Sequence, residues 1–150
     1  MTSPETEPPP VPFHPISRRS GFLDLIGPLY VDGTDPRSPV YGLRIEEKHA
    51  NSRGGVHGGV LTTLADLALG YGAMAAHGTV LNLLTASLTV DYTGTARVGD
   101  WIEARTTLKR MGSRLAFAGC EITNAARPVA SCSGVFSVPP DVGAGGPSGR

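Results

Sequence analysis

Hydrophobic positions along the chain change period once, and the change divides it. From Gly58 to His77 apolar residues recur at three- and four-residue spacing, through Val60-Leu61-Thr62-Thr63-Leu64-Ala65-Asp66-Leu67-Ala68-Leu69-Gly70-Tyr71. That spacing predicts one long helix, entered through Gly58 and Gly59, and its mostly apolar circumference means that it is covered on most sides. Beyond it the period falls to two. Ile102, Ala104, Thr106 and Leu108 alternate with Glu103, Arg105, Thr107 and Lys109, as on a half-buried strand. Strand-like runs at 81–92, 101–110, 115–123 and 129–138 are separated by Thr93-Gly94-Thr95, Met111-Gly112-Ser113 and Asn124-Ala125-Ala126-Arg127-Pro128. Upstream, residues 20–26 read as a short amphipathic helix with Phe22, Leu23 and Ile26 on one side. Residues 40–46 read as a strand and 47–55 as a loop rich in turn formers. The order strand, helix, four strands predicts an α+β fold with an antiparallel sheet. The simplest arrangement is a long central helix wrapped by a curved sheet.

The flanks differ. Residues 1–14 are polar and proline-rich and bury almost nothing, so disorder is expected there, as it is for the Gly/Pro-rich tail at 139–150. One domain at 15–138 is left, an ordinary size for a single core in a chain of 150 residues. Net charge is zero, without the basic excess of a nucleic-acid surface. No uninterrupted apolar run suffices for a membrane span, and no secretion signal is visible. Cys120 and Cys132 lie in strand-like runs and form no ligand cluster, which suits reduced, buried thiols in a cytoplasmic protein. His14, His49, His57 and His77 lack metal-ligand spacing, so neither metal nor cofactor is expected.

Between Gly54 and Val90 the single full charge is Asp66. Mid-helix, it cannot serve as a cap, and an unpaired buried carboxylate is costly. Gly59, Thr62, Thr63, Asp66, Gly70 and Ala73 form a small, polar stripe; Leu61, Leu64, Ala68, Tyr71 and Ala75 form the apolar face opposite. The entrance Gly55-Val56-His57-Gly58-Gly59 offers unpaired backbone N–H groups to a carbonyl oxygen. A flexible loop before an ordinary helix and a carboxylate tied to Thr62 are the competing structural readings. Gly58 and Asp66 stand about 12 Å apart along a helix axis. If both act on one bond, the carboxylate comes from another subunit, with two helices packed about a two-fold axis.

The segment Asn51-Ser52-Arg53-Gly54-Gly55-Val56-His57-Gly58-Gly59-Val60, followed by Thr63-Leu64-Ala65-Asp66, resembles the signature of hotdog-fold acyl-CoA thioesterases. The resemblance is to the phenylacetic-acid-pathway (PaaI-like) family of the 4-hydroxybenzoyl-CoA thioesterase superfamily. It runs from about Tyr41 to Phe136 and includes Leu88-Thr89-Val90-Asp91-Tyr92 and Ala96-Arg97-Val98-Gly99-Asp100. It implies a hotdog fold and hydrolysis of an acyl-CoA to a carboxylic acid and coenzyme A, the latter being part of the substrate. Asp66 would be general base or nucleophile, Gly58 the donor to the thioester oxygen, Asn51 an orienting group and His57 a supporting hydrogen-bonder. Thr85 would hold the water, with Ser87 as the alternative, because a regular strand turns both to one side. Gly59, Arg110, Ser113 and Arg114 would contact the substrate or its phosphates, whereas Arg97 and its neighbours also read as solvated hairpin charges. A homodimer, extending to a homotetramer, would complete the site.

Two other classes compete with hydrolysis. A hotdog-fold enoyl-CoA hydratase would pair His57 with Asp66, but an Asp-x-Asn-Pro-x-His type of stretch is missing. A non-catalytic acyl-CoA-binding protein of the regulator type would carry a basic DNA-binding segment, and the chain shows none. The acyl group stays open; Tyr71, Met74 and the segment before Val40 are expected to shape its pocket.

Overall fold

A computed structural model describes residues 7–78 and 80–140. The order is β1 (His14–Pro15), α1 (Gly21–Ile26), β2 (Leu29–Asp32), β3 (Val40–Arg44), a 3-10 turn (Glu47–His49), α2 (Gly58–His77), β4 (Leu84–Tyr92), β5 (Trp101–Met111), β6 (Leu115–Asn124) and β7 (Arg127–Ser137). The strands form one antiparallel sheet in the order β1-β2-β3-β5-β6-β7-β4. The predicted long helix and the four runs after it are present. The first of those runs begins as a strand only at Leu84. The short strands β1 and β2 were not foreseen.

Helix α2 lies on the sheet, and the core forms between them. Leu61, Leu64, Ala65, Ala68, Leu69 and Ala73 are buried against inward-facing Ile102, Ala104, Ala118, Ile122 and Phe136. Alternation along β6 decides its orientation: Ala116, Ala118, Cys120 and Ile122 face in, and Leu115, Phe117 and Glu121 face out. Cys120 and Cys132 are free, buried and directly opposite across β6 and β7. A hydrogen bond to the Cys132 sulfur, then burial, pushes the Cys120 thiol up. Ala73, read with the polar stripe, is wholly buried, whereas Tyr71 and Ala75 are only half-buried.

The ends of α2 are fixed separately. His57 caps the first turn. Gly78, left-handed at φ 82°, returns its N–H to Ala75 and Met74. The Arg37 guanidinium donates twice to the Ala76 carbonyl, at 2.7 and 3.2 Å, a cation at the negative end of the helix. By length and composition alone α2 would suffice to cross a bilayer, although Thr62, Thr63 and Asp66 interrupt its apolar run; here its buried apolar residues are occupied by the sheet.

The N-terminal expectation is also revised. Residues 1–6 lie outside the described residues, as do 141–150 of the tail. Residues 7–14 are placed, because the outer sheet face carries aromatic partners for them. Phe13 meets Trp101 edge-on at 5.0 Å between ring centroids, with Tyr30 beside it at 5.5 Å. The Trp101 ring covers Gly42, where a β-carbon would come within 2.2 Å of it. Arg44 stacks on the same ring at 5.3 Å and donates to the carbonyls of Pro8 and Gly99.

Gly72 sets how closely the helix approaches the sheet: a β-carbon there would fall 2.5 Å from the Thr106 β-carbon. Thr106 donates at 2.8 Å to the carbonyl of Ala68, one turn earlier. Gly72→Ala should therefore lower unfolding free energy by about 1–3 kcal/mol, measured by urea denaturation. An unchanged or raised midpoint would show that this contact is not tight.

Candidate active site

The entrance to α2 is a held loop. Asn51 Oδ1 accepts from the backbone N–H groups of Arg53 (2.8 Å) and Gly55 (3.3 Å), and its Nδ2 donates to the Val56 carbonyl (3.3 Å). His49, with no assigned role in the sequence reading, is fully buried beneath this loop. Its Nδ1 accepts from the Glu46 N–H, so Nε2 carries the hydrogen donated to the Ile26 carbonyl at 2.6 Å. Its own carbonyl accepts from the His57 N–H at 2.8 Å. His49 thus ties α1 to the start of α2. Only its burial distinguishes it from the other histidines, and a sequence does not display burial.

His57 Nδ1 accepts from the Gly59 N–H at 2.9 Å. That bond separates the two glycines chemically. The Gly59 donor is taken, whereas the Gly58 N–H has no acceptor among the described residues. A partial positive charge gathers at the same point.

Asp66 sits two turns further along α2, half-buried and facing β4. Thr85 donates to its Oδ1 at 2.6 Å. No cation lies within ion-pair distance of the carboxylate among the described residues. Thr62 is engaged elsewhere, with the Gly58 carbonyl at 3.0 Å and the Tyr92 hydroxyl at 2.7 Å, so it does not tie Asp66. Thr85 and Ser87 do not share a side, contrary to the regular-strand expectation. β4 bulges between them: Thr85 opposes buried Phe136, and Ser87 opposes Val135 on the outer face. The extra residue reverses the alternation and leaves Thr85 toward Asp66.

Tyr92, at the other end of β4, was missed. Its ring lies over Gly58, so close that a β-carbon there would come within 3.2 Å, and its hydroxyl donates to the Gly58 carbonyl at 3.3 Å. Periodicity gave no hint of it, because the contact joins residues 34 apart. The strand therefore carries Thr85 and Asp66 at one end and Tyr92 and Gly58 at the other. β4 has one neighbour, β7, and among the described residues its other edge is unpaired.

Arg110, Ser113 and Arg114 lie at the β5–β6 hairpin, which adjoins the Thr85 end of β4 through Ser137 and Val138. They are exposed and are not brought to the Gly58 of the same chain. Tyr41, Tyr71, Met74 and residues 14–18 do line one cavity of about 330 Å³. It opens toward β3, where Tyr71 packs on Tyr41 at 6.1 Å, on the side of α2 away from Asp66 and β4. Burial pushes the Tyr41 phenol up to about 12.

A carboxylate oriented by a hydroxyl, and an unpaired N–H at a helix N-terminus, are the two parts that addition to a carbonyl requires. The fold and sequence comparisons agree with that chemistry. A thioesterase superfamily profile matches residues 53–131. A Pseudomonas aeruginosa protein provisionally named an esterase is 44% identical over 130 residues, covering 87% of this chain and 97% of its own length. Mouse acyl-coenzyme A thioesterase 13 is 27% identical over 108 residues, 69% of this chain and 74% of that protein. The structure of a point mutant of the phenylacetic acid degradation protein PaaI from Thermus thermophilus superposes with a TM-score of 0.68. It is 27% identical and covers 79% of this chain and 99% of its own. The chain belongs to the thioesterase superfamily, has its hotdog fold, and is a thioester hydrolase.

Proposed function

We propose that this protein hydrolyses acyl-CoA thioesters at a site built from two copies of the chain. One observation carries the reading: β4 is a free edge with Asp66–Thr85 at one end and Gly58–Tyr92 at the other. Two such edges pairing antiparallel about a two-fold axis set each pair beside its complement in the other copy. Within one chain the two lie about 12 Å apart along the helix, too far to act on one bond.

The thioester oxygen accepts from the Gly58 N–H of one copy, where negative charge develops as the carbonyl becomes tetrahedral. The Asp66 carboxylate of the other copy either takes a proton from the attacking water or attacks the carbon itself. Thr85 fixes one carboxylate oxygen and leaves the second for that step. His57 positions the donor by capping the helix, and Asn51 holds the loop before it. The substrate class rests on the named activity of the mouse relative. Hydration of an enoyl-CoA needs His57 and Asp66 on one substrate; His57 is engaged with the Gly59 N–H, which favours hydrolysis. A dimer in the cytoplasm, without metal or nucleic acid, completes the reading.

Asp66→Asn should lower kcat by at least about a hundredfold in a thiol-release assay across short, long and aromatic acyl-CoAs; near-normal turnover would remove Asp66 from the chemistry. Thr85→Ala should reduce kcat by about tenfold, while Ser87→Ala, on the outer face, changes little. The reverse order would mean that the bulge is misplaced. Subunit sharing has its own test. Co-expressed Asp66→Ala and Gly58→Val chains, each inactive alone, should recover roughly a quarter of wild-type activity, because half the dimers hold one intact site. No recovery would place the whole site in one chain.

A further inference from the structure

Resting on the acyl-CoA reading, we propose that the cleft before α2 binds the phosphates of the coenzyme A nucleotide, with Arg53 and Arg97 as the cationic walls. The cleft has a volume of about 450 Å³ and is lined by Asn51, Arg53, Gly54, Gly55, Thr95 and Arg97. Neither guanidinium makes an ion pair or a side-chain hydrogen bond among the described residues. Asp100, in the adjacent turn, makes no ion pair with either guanidinium among the described residues. Asp100 Oδ2 already accepts from the Arg97 backbone N–H and from Asn124 Nδ2, both at 2.8 Å.

Both arginines are fixed at their backbones and exposed at their tips. Arg53 donates its N–H to Asn51, and Arg97 is bridged to Gly55 across the cleft. The floor is bare. Gly54, left-handed at φ 81°, has nothing within 4 Å of where a side chain would start, so a bulky anion reaches the backbone there. Two uncompensated, forked donors facing one cleft match the geometry of a phosphate. The cleft lies close in the chain to the Gly58 donor. Arg53 is five residues before Gly58, at most roughly 18 Å of chain, and the pantetheine arm of coenzyme A spans such an interval. The thioester at Gly58 and the phosphates at this cleft would then belong to one substrate molecule lying along one subunit. The exposed arginines of the β5–β6 hairpin, Arg110 and Arg114, are the alternative holders.

The test compares an acyl-CoA with the S-acyl pantetheine that lacks the nucleotide. The ratio of their kcat/KM values should fall about tenfold in Arg53→Ala and in Arg97→Ala. The salt dependence of KM for the acyl-CoA should weaken in the double variant. An unchanged ratio, an equal loss on both substrates, or a fall confined to Arg114→Ala would each overturn the assignment. Calorimetry with coenzyme A, pantetheine and adenosine 3′,5′-bisphosphate separates this outcome from failure of the thioesterase reading. If no thioester is hydrolysed, wild type still binds coenzyme A more tightly than pantetheine, and Arg53→Ala and Arg97→Ala abolish the difference. No preference in wild type sinks the proposal.

Discussion

Everything in this fold follows from seating one nearly all-apolar helix on a sheet. A helix of that composition has no stable place in water, and only close approach to the strands removes it. Close approach in turn needs small residues on the contact line: Ala65, Ala68, Gly72 and Ala73 are all buried. Larger apolar residues, Leu61, Leu64 and Leu69, fill the space to either side. Once the helix is seated, its rotation is no longer free. The face that carries Asp66 must look along the sheet toward β4, and the face that carries Tyr71 must look toward β3. The position of the carboxylate is therefore a by-product of core packing.

The same seating explains the entrance. A helix that begins beneath a loop leaves its first N–H groups to be satisfied locally. His57 satisfies one of them, and the loop is braced from below by His49 and from within by Asn51. The unused donor at Gly58 survives because the residues around it spend their hydrogen bonds on each other. Rigidity at this point comes from a chain of specific bonds, two of them accepted and one donated by imidazoles.

The parts of the molecule that a sequence exposes are those set by local pattern. The helix over 58–77 and the strands at 101–111 and 115–124 are written in their periods, and Asp66 stands out as a charge where none is otherwise found. The association of Asn51, His57, Gly58 and Asp66 came through a resemblance, since spacing alone does not say that a loop is braced. What stayed hidden depends on distant partners. β2 is four residues whose order comes from β3 and from Trp101, and residues 7–14 gain their place from the same aromatic cluster. A single inserted residue in β4 separates Thr85 from Ser87, and no period of two can register an insertion. Tyr92 reaches Gly58 only after the sheet has formed.

β4 also has a side to it that concerns survival in a crowded solution. From Leu84 to Val90 it carries no charge and no proline, and it holds Leu88, Val90 and two threonines. Edges of natural sheets are commonly blunted by lysine, proline or a tight bend; this one has a bulge near one end and Asp91 near the other. Left open, a stretch of that kind is a template onto which other extended chains can add without limit. A partner that closes it in register ends that growth at two. The residues that bring the site's two ends onto one line would, in a chain without such a partner, seed insoluble aggregates.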